Sequence, residues 1–438
     1  MERDFSIRYE WLESGTGLAV DAATAMLVTI TVGNNVLTRV HDLRSHGVRD
    51  TIRVSGFRLA TWFLENWWRI RYEIFGQGAD WSFAHAVNAA GGGYIWPNVE
   101  LSGDWDVVRC VVSETIHDNA QPVRFLTHGT FEIDANVFER TIDTFFSAVS
   151  DRLYEHSDNP DVSLYYDAFS ATWDDLQKER TSQESARWRH TEAMLGYDID
   201  EAPDDEVQDV IDSFGRYGER AVAELADEFK TETLAVIASL QKLVDTSVVS
   251  MNMAHVDSVR MEMAPNGVPS ALQPAWQAAE QHAERVRKQL GITRGPVSND
   301  VLADFLEMDA AFISGDDRRM EAPCSAGMIR EHESSAVKPV IHHTWITSRR
   351  FAIARIMADR FLAPSEDRIL PVTETKTWRQ KFQRAFAQSL LCPAEELLEH
   401  IGRRVPDDAA IEKAAGYFEV SPLLVQRTLM NKGILRLS

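Results

Sequence analysis

The chain has 438 residues, enough for two or three domains with separate cores, and 44% apolar against 26% charged residues is ordinary globular composition. A formal net charge of −22 repels phosphate and argues against general nucleic-acid affinity. No run of about eighteen uncharged apolar residues occurs, and the N-terminus MERDFSIRYEW lacks the apolar core of a secretory signal, so no membrane span and a cytoplasmic location are expected.

The three cysteines, Cys110, Cys324 and Cys392, are odd in number and far apart, with neither disulfide-framework nor zinc-knuckle spacing. Charge is uneven: residues 339–438 hold 15 Lys/Arg against 11 Asp/Glu, a net of +4, and the rest of the chain carries −26. An acidic body that keeps the protein soluble explains most of this, with a mildly basic tail as a separate surface.

Residues 1–133 read as a mixed α/β domain. AMLVTITVG (25–33), DTIRVSG and DWDVVRCVVSE have the β-branched content of strands. Between them FRLATWFLENWWRIRYEIFG places Leu59, Trp62, Phe63, Trp67, Ile70 and Ile74 at helical spacing, which predicts one buried helix face with Arg58, Arg69 and Arg71 snorkelling from it. Gly91, Gly92 and Gly93 do not follow a phosphate-loop spacing and read as a helix cap and turn. An enzyme site in this region would have to gather His85, Gly91–Gly93, Asp104 and His117.

Residues 134–270 read as an acidic helical region. One stripe is Phe138, Ile142, Phe145, Phe146 and Val149; a second is Leu164, Tyr165, Phe169, Trp173 and Leu176. DIDEAPDDE lacks the central glycine of a calcium loop, and the acidic helices after it read as a solvated face.

Residues 271–438 begin with a helix near 272–290 and a short helix after an N-cap at Ser298; 315–333 is polar and reads as loop. KPVIHHTW leads into RRFAIARIMADRFL (349–362), where Phe351, Ala354, Ala358 and Phe361 mark an apolar face and Arg355 and Asp359 stand one turn apart. That is the spacing at which a metallopeptidase helix presents two histidines flanking a glutamate base. Adjacent His342 and His343, read on a strand, face opposite ways and cannot both grip one ion. A second helix, QKFQRAFAQSLLCPAEELL, ends at a Cys-Pro step. DDAAIEKAAGYFEVSPLLVQRTLMNKGI is helix, turn, helix, with Ser421 as N-cap and Pro422 at N1.

These three motifs, in this order, resemble the ImmA/IrrE family of zinc peptidases, known for cutting helix-turn-helix repressors in mobile elements and stress responses. The resemblance covers about 280–438. It implies ligand positions at Arg355, Asp359 and Gln380 and a base position at Ile356. Arginine has only donors and stays protonated, and isoleucine cannot move a proton, so the resemblance implies a site without zinc, cofactor or catalysis. Arg355 and Asp359 are then expected either to pair across the vacated site, with Gln380 bonding between the helices, or to point into solvent.

The expected fold is α+β: a mixed N-terminal domain, a helical middle and a mainly helical metallopeptidase-like C-terminal domain with a helix-turn-helix-like end. The expected function is that of a regulator or scaffold that binds a protein partner, in a phage-defence or mobile-element setting. Gln426, Arg427, Asn431 and Lys432 are residue types that read a major groove, which makes DNA the alternative partner. The family's use of this bihelical piece within its ordinary fold favours packing. A third reading is an enzyme with its site in the N-terminal region.

Overall fold

A computed structural model describes residues 4–13, 17–74, 76, 78–115, 122–263, 273–315, 322–330, 334–402 and 405–435. Its short antiparallel sheets and numerous helices make an α+β fold. No helix among the described residues is long and apolar enough to cross a membrane. The chain divides into two compact units, Met1–Val207 and Gln208–Ser438. The expected boundaries lie near 133 and 270, and this division falls between them. The helical stretch 134–270 is shared out, because each of its apolar stripes needs a sheet or helix to cover it.

In the first unit, strands β1 (Phe5–Trp11), β2 (Ala25–Val32) and β3 (Ile52–Ser55) form an antiparallel sheet with β2 in the middle. Helix α1 (Gly56–Glu65) follows, its first turn capped by the Ser55 hydroxyl. The expected long helix breaks at Asn66, whose side-chain amide donates to Trp62 O at 2.8 Å; a second short helix runs Trp67–Tyr72, and Ile74 lies beyond it.

Strands β4 (Val99–Gly103), β5 (Val107–Val112) and β6 (Gly129–Asp134) make a second sheet. Helices α2 (Ala135–Glu155), α3 (Pro160–Thr181) and α4 (Gln183–Leu195) complete the unit. All five residues of the first predicted stripe are buried on α2. On α3, Leu164 is exposed and Val162 takes the inward place beside Phe169 and Leu176.

Gly103 lies close against the backbone of Arg71. A Cβ there would lie 2.4 Å from Arg71 O. Gly103→Ala is expected to destabilise the first unit by about 1–3 kcal/mol through overpacking, measured by urea denaturation. A neutral effect would mean that the strand slides away at no cost.

In the second unit, helices α5 (Glu219–Phe229) and α6 (Thr233–Thr246) precede strand β7 (Met251–Asn252). Helix α7 (Ala275–Gln289) packs on the later helices. Strands β8 (Ser325–Ile329), β9 (Ala336–Val340) and β10 (Ile369–Val372) form an antiparallel sheet in the order β7-β9-β8-β10. The expected loop at 315–333 thus contains the wholly buried strand β8. Small residues (SAGMI) hide its propensity, and a Cβ on Gly327 would lie 2.7 Å from Ile356 Cγ2.

Helix α8 (Ile346–Leu362) covers this sheet and packs on α9 (Trp378–Leu391), which ends at Cys392 as expected. Helices α10 (Asp408–Phe418) and α11 (Pro422–Asn431) close the chain. Ser421 caps α11, and Glu419 takes a left-handed turn conformation at φ 52°. Arg350 on α8, fully buried, donates to Glu419, to Val297 O and to Asn299 Oδ1, tying that turn to the core.

Candidate functional site

Helices α8 and α9 meet beside strand β10 because both carry apolar residues on more than one face. Phe361, Phe382 and Phe386 pack together there, joined by His282 from α7. Into this apolar contact the sequence inserts Arg355 and Asp359 from α8, and Arg379, Gln380 and Gln383 from α9. All five are buried.

Arg355 and Asp359 do not pair with each other, and neither points into solvent. Arg355 donates to Gln380 Oε1 at 2.8 Å, to Glu374 Oε1 at 3.2 Å and to Thr373 O. Asp359 accepts both prongs of Arg379, from Nε at 2.6 Å and Nη2 at 2.7 Å, and a third bond from Gln383 Nε2 at 2.7 Å. The remaining arm of Arg379 reaches Asp367 Oδ2 at 2.9 Å. A side chain points away from its helix at an angle fixed by its own rotamer. The i, i+4 spacing allows the two to meet, and the facing helix supplies each with a different partner instead. Gln380 bonds between the helices, to Arg355, without the expected Arg355–Asp359 pair. Ile356 turns the other way, onto the sheet over Gly327.

Strand β10 lies at the sheet edge, and main-chain groups at Pro371 and in the residues after the strand are taken by side chains. Pro371 O accepts from Gln380 and Gln383 at 3.1 and 3.0 Å. Thr373 N donates to Gln380 Oε1, and Thr373 O accepts from Arg355 and Arg384. Further along, Glu374 N donates to Glu228 Oε2, and Thr375 O accepts from Arg384.

From α5, Glu224 enters the same polar cluster and accepts from the Thr377 hydroxyl at 3.0 Å. The acidic run that holds it reads as a solvated face. No sequence signal separates it from its exposed neighbours except its place between Val222 and Leu225 on a helix with a strong apolar side.

Burial dominates the electrostatics of the cluster. It pushes the Glu224 carboxyl up to about 7, with Arg379 opposing and Asp359 adding. It pushes Asp367 up to about 6 against the pull of Arg379. Burial also opposes the charge on Arg379, yet Asp359 and Asp367 together outweigh it and hold that guanidinium above its ordinary value. Burial, helped by Arg384, draws Arg355 down to about 10.

The residues expected to matter elsewhere are dispersed. His342 and His343 lie past the end of β9, not within a strand, and their rings meet edge to face at 5.5 Å. Strand alternation therefore does not keep them apart. His342 Nδ1 is instead engaged by Ala322 O. Among the described residues, no three His, Cys, Asp or Glu side chains are grouped to hold a metal ion. On α11, Arg427, Asn431 and Lys432 are exposed and Gln426 is partly so; the Lys432 ammonium lies 3.5 Å from Glu280.

In the first unit His85 is fully buried between Leu101 O at 2.6 Å and Glu73 Oε2 at 2.9 Å, with Trp81 stacked on its ring. Asp104 Oδ1 accepts from the amides of Asp106 and Val107, and Gly91–Gly93 turn with φ of 60°, 70° and 76°. His85 and Asp104 bond to different residues, and His117 lies outside the described residues.

Arg69 and Arg71 do not snorkel; they are buried on Glu73 and Asp198, and on Glu139 and Asp104 O. Arg58 forms a two-pronged pair with Asp21. Asp198 and Asp200 of the rejected calcium-like run bind arginines, Arg69 and Arg189. No family model, no curated protein and no solved structure matches this chain.

Proposed function

We propose that the chain is a non-catalytic protein that acts by binding a protein partner, as a regulator or scaffold in a phage-defence or mobile-element setting. One observation carries this reading: where the resembling family places two metal ligands and a base, this chain has Arg355, Ile356 and Asp359. The arginine is bonded to Gln380 and Glu374, the aspartate to Arg379 and Gln383, and the isoleucine is packed on the sheet. A carboxylate already holding a bidentate guanidinium has little lone-pair capacity left for an ion.

Arg355 and Asp359 are 3% and 0% exposed, so partner contacts in this reading fall to the rim. Trp345, 78% exposed just before α8, is the kind of aromatic anchor that dominates protein interfaces.

Metal analysis of the purified chain, paired with a cleavage assay on helix-turn-helix repressors with and without added zinc, tests the first half. No stoichiometric zinc and no zinc-dependent cleavage are expected; either one overturns the reading. Capture of a stable partner from cells carrying the native system, weakened at least tenfold by Trp345→Ala, tests the second.

The exposed Arg427 and Asn431 on α11 support a second reading, duplex DNA binding. It predicts affinity that falls steeply with salt and is lost in Arg427→Ala with Lys432→Ala.

A further inference from the structure

Three carboxylates, Asp359, Asp367 and Glu224, gather around one buried guanidinium, that of Arg379. Arg379 gives Nε and Nη2 to Asp359 and Nη1 to Asp367. Among the described residues, the donors to Glu224 are neutral, the Thr377 hydroxyl and the Gln380 amide. The charged groups facing it are Arg379 and Arg384 on α9 and Asp359 on α8. Arg355 is one bond further off through Gln380, and Asp367 one bond further through Arg379. Arg384 places its own guanidinium on the Thr373 and Thr375 carbonyls, and Glu228 and Glu374 flank it. Among the described residues, a third full negative charge inside this group has no hydrogen-bonded cation of its own.

Helix α5 is seated by this cluster twice. Its first turn meets Asp367, which accepts from Ala221 N. Gly218, at φ +92°, leaves the space there, since a Cβ would lie 2.3 Å from Asp367 Oδ1. Its middle turn carries Glu224.

We propose that Glu224 holds a proton in the folded chain near neutral pH, and that losing it loosens the seat of α5 on α8, α9 and β10. The second unit is then held most firmly on the acid side of neutrality and is opened locally by alkali. The sign follows from linkage. Burial raises the folded-state value to about 7, above the ordinary glutamate value, so the contribution is complete below the ordinary carboxylate range and is lost as pH rises through about 7.

The test is amide hydrogen exchange of the full chain, read on peptides covering Glu219–Phe229 at about pH 6 and about pH 8.5 and corrected for intrinsic rates. Protection is expected to fall about tenfold in the unsubstituted chain and to stay level in Glu224→Gln. Equal losses in both, or none in the unsubstituted chain, overturn the proposal. A readout independent of the variant's folding is carbon-13 NMR of chain labelled at the glutamate carboxyls. One resonance is expected to titrate near pH 7 and to persist in Glu228→Gln, since burial also raises Glu228. If every glutamate titrates in the ordinary range, the proposal fails.

Discussion

Replacing Arg379 by methionine is expected to cost the second unit about 3–5 kcal/mol, among the largest single effects available in this chain. The reason lies in what stays behind. Asp359 is fully buried and Asp367 nearly so, and both depend on the three bonds of that one guanidinium. Methionine fills much of the volume but leaves two carboxylates without a cation, and the folded state can relieve this only by taking up protons. The loss should therefore be large at neutral pH and shrink as pH falls through the carboxylate range. Paired removal, Asp359→Leu with Arg379→Met, should cost less than the sum of its parts, because apolar replacement of a whole buried pair is far cheaper than orphaning one member. Urea denaturation followed by pulse proteolysis of the α8 and α9 segments would measure both. A cost under about 1 kcal/mol for Arg379→Met would mean that the network is not the cross-link between these helices.

Arg350→Ala should have the second largest effect, about 2–4 kcal/mol, concentrated at the chain's end. Arg350 is fully enclosed and ties α8 to two other segments: residues 297–299, through the Val297 carbonyl and the Asn299 side chain, and Glu419 in the turn between α10 and α11. Glu419 sits in a left-handed conformation that a residue with a side chain adopts at some expense, so its ion pair is part of what keeps the turn in place. Alanine removes the pair and leaves the Val297 carbonyl unsatisfied. Limited proteolysis should then cut between residues 405 and 435 much faster than elsewhere in the second unit. An unchanged cleavage pattern would show that apolar packing alone holds the two last helices.

Much of the helical framework was legible because its signals are local. Phe351 to Phe361 on α8, the Cys-Pro stop after α9 and the Ser421-Pro422 start of α11 each follow from spacing or capping within a few residues. What was not legible depends on neighbours remote in sequence. Glu224 lies in an acidic run and enters the core only because Thr377 and Gln380, some 150 positions later, come to meet it. Arg355 and Asp359 were visible as a pair, yet their partners are set by how α9 faces α8, which no i, i+4 rule contains. Strand β8 was hidden because a strand buried on both faces beneath a helix needs small residues, and Ser, Ala and Gly carry little β preference. The β1 strand FSIRYEW was missed because its charged residues lie on an open sheet edge and dilute the alternation.

The side chains that close the outer margin of β10 narrow what kind of ligand this region could admit. An extended peptide that docks by β-augmentation needs free main-chain donors and acceptors along a strand. Between Pro371 and Thr375 those groups are already held by two glutamines, two arginines and a glutamate that are themselves packed in place. Invading chains, whether substrate-like or aggregating, would first have to displace this amide and guanidinium hem. A ligand docking on this margin would have to read shape and side chains on a folded surface, not the backbone of a threaded strand.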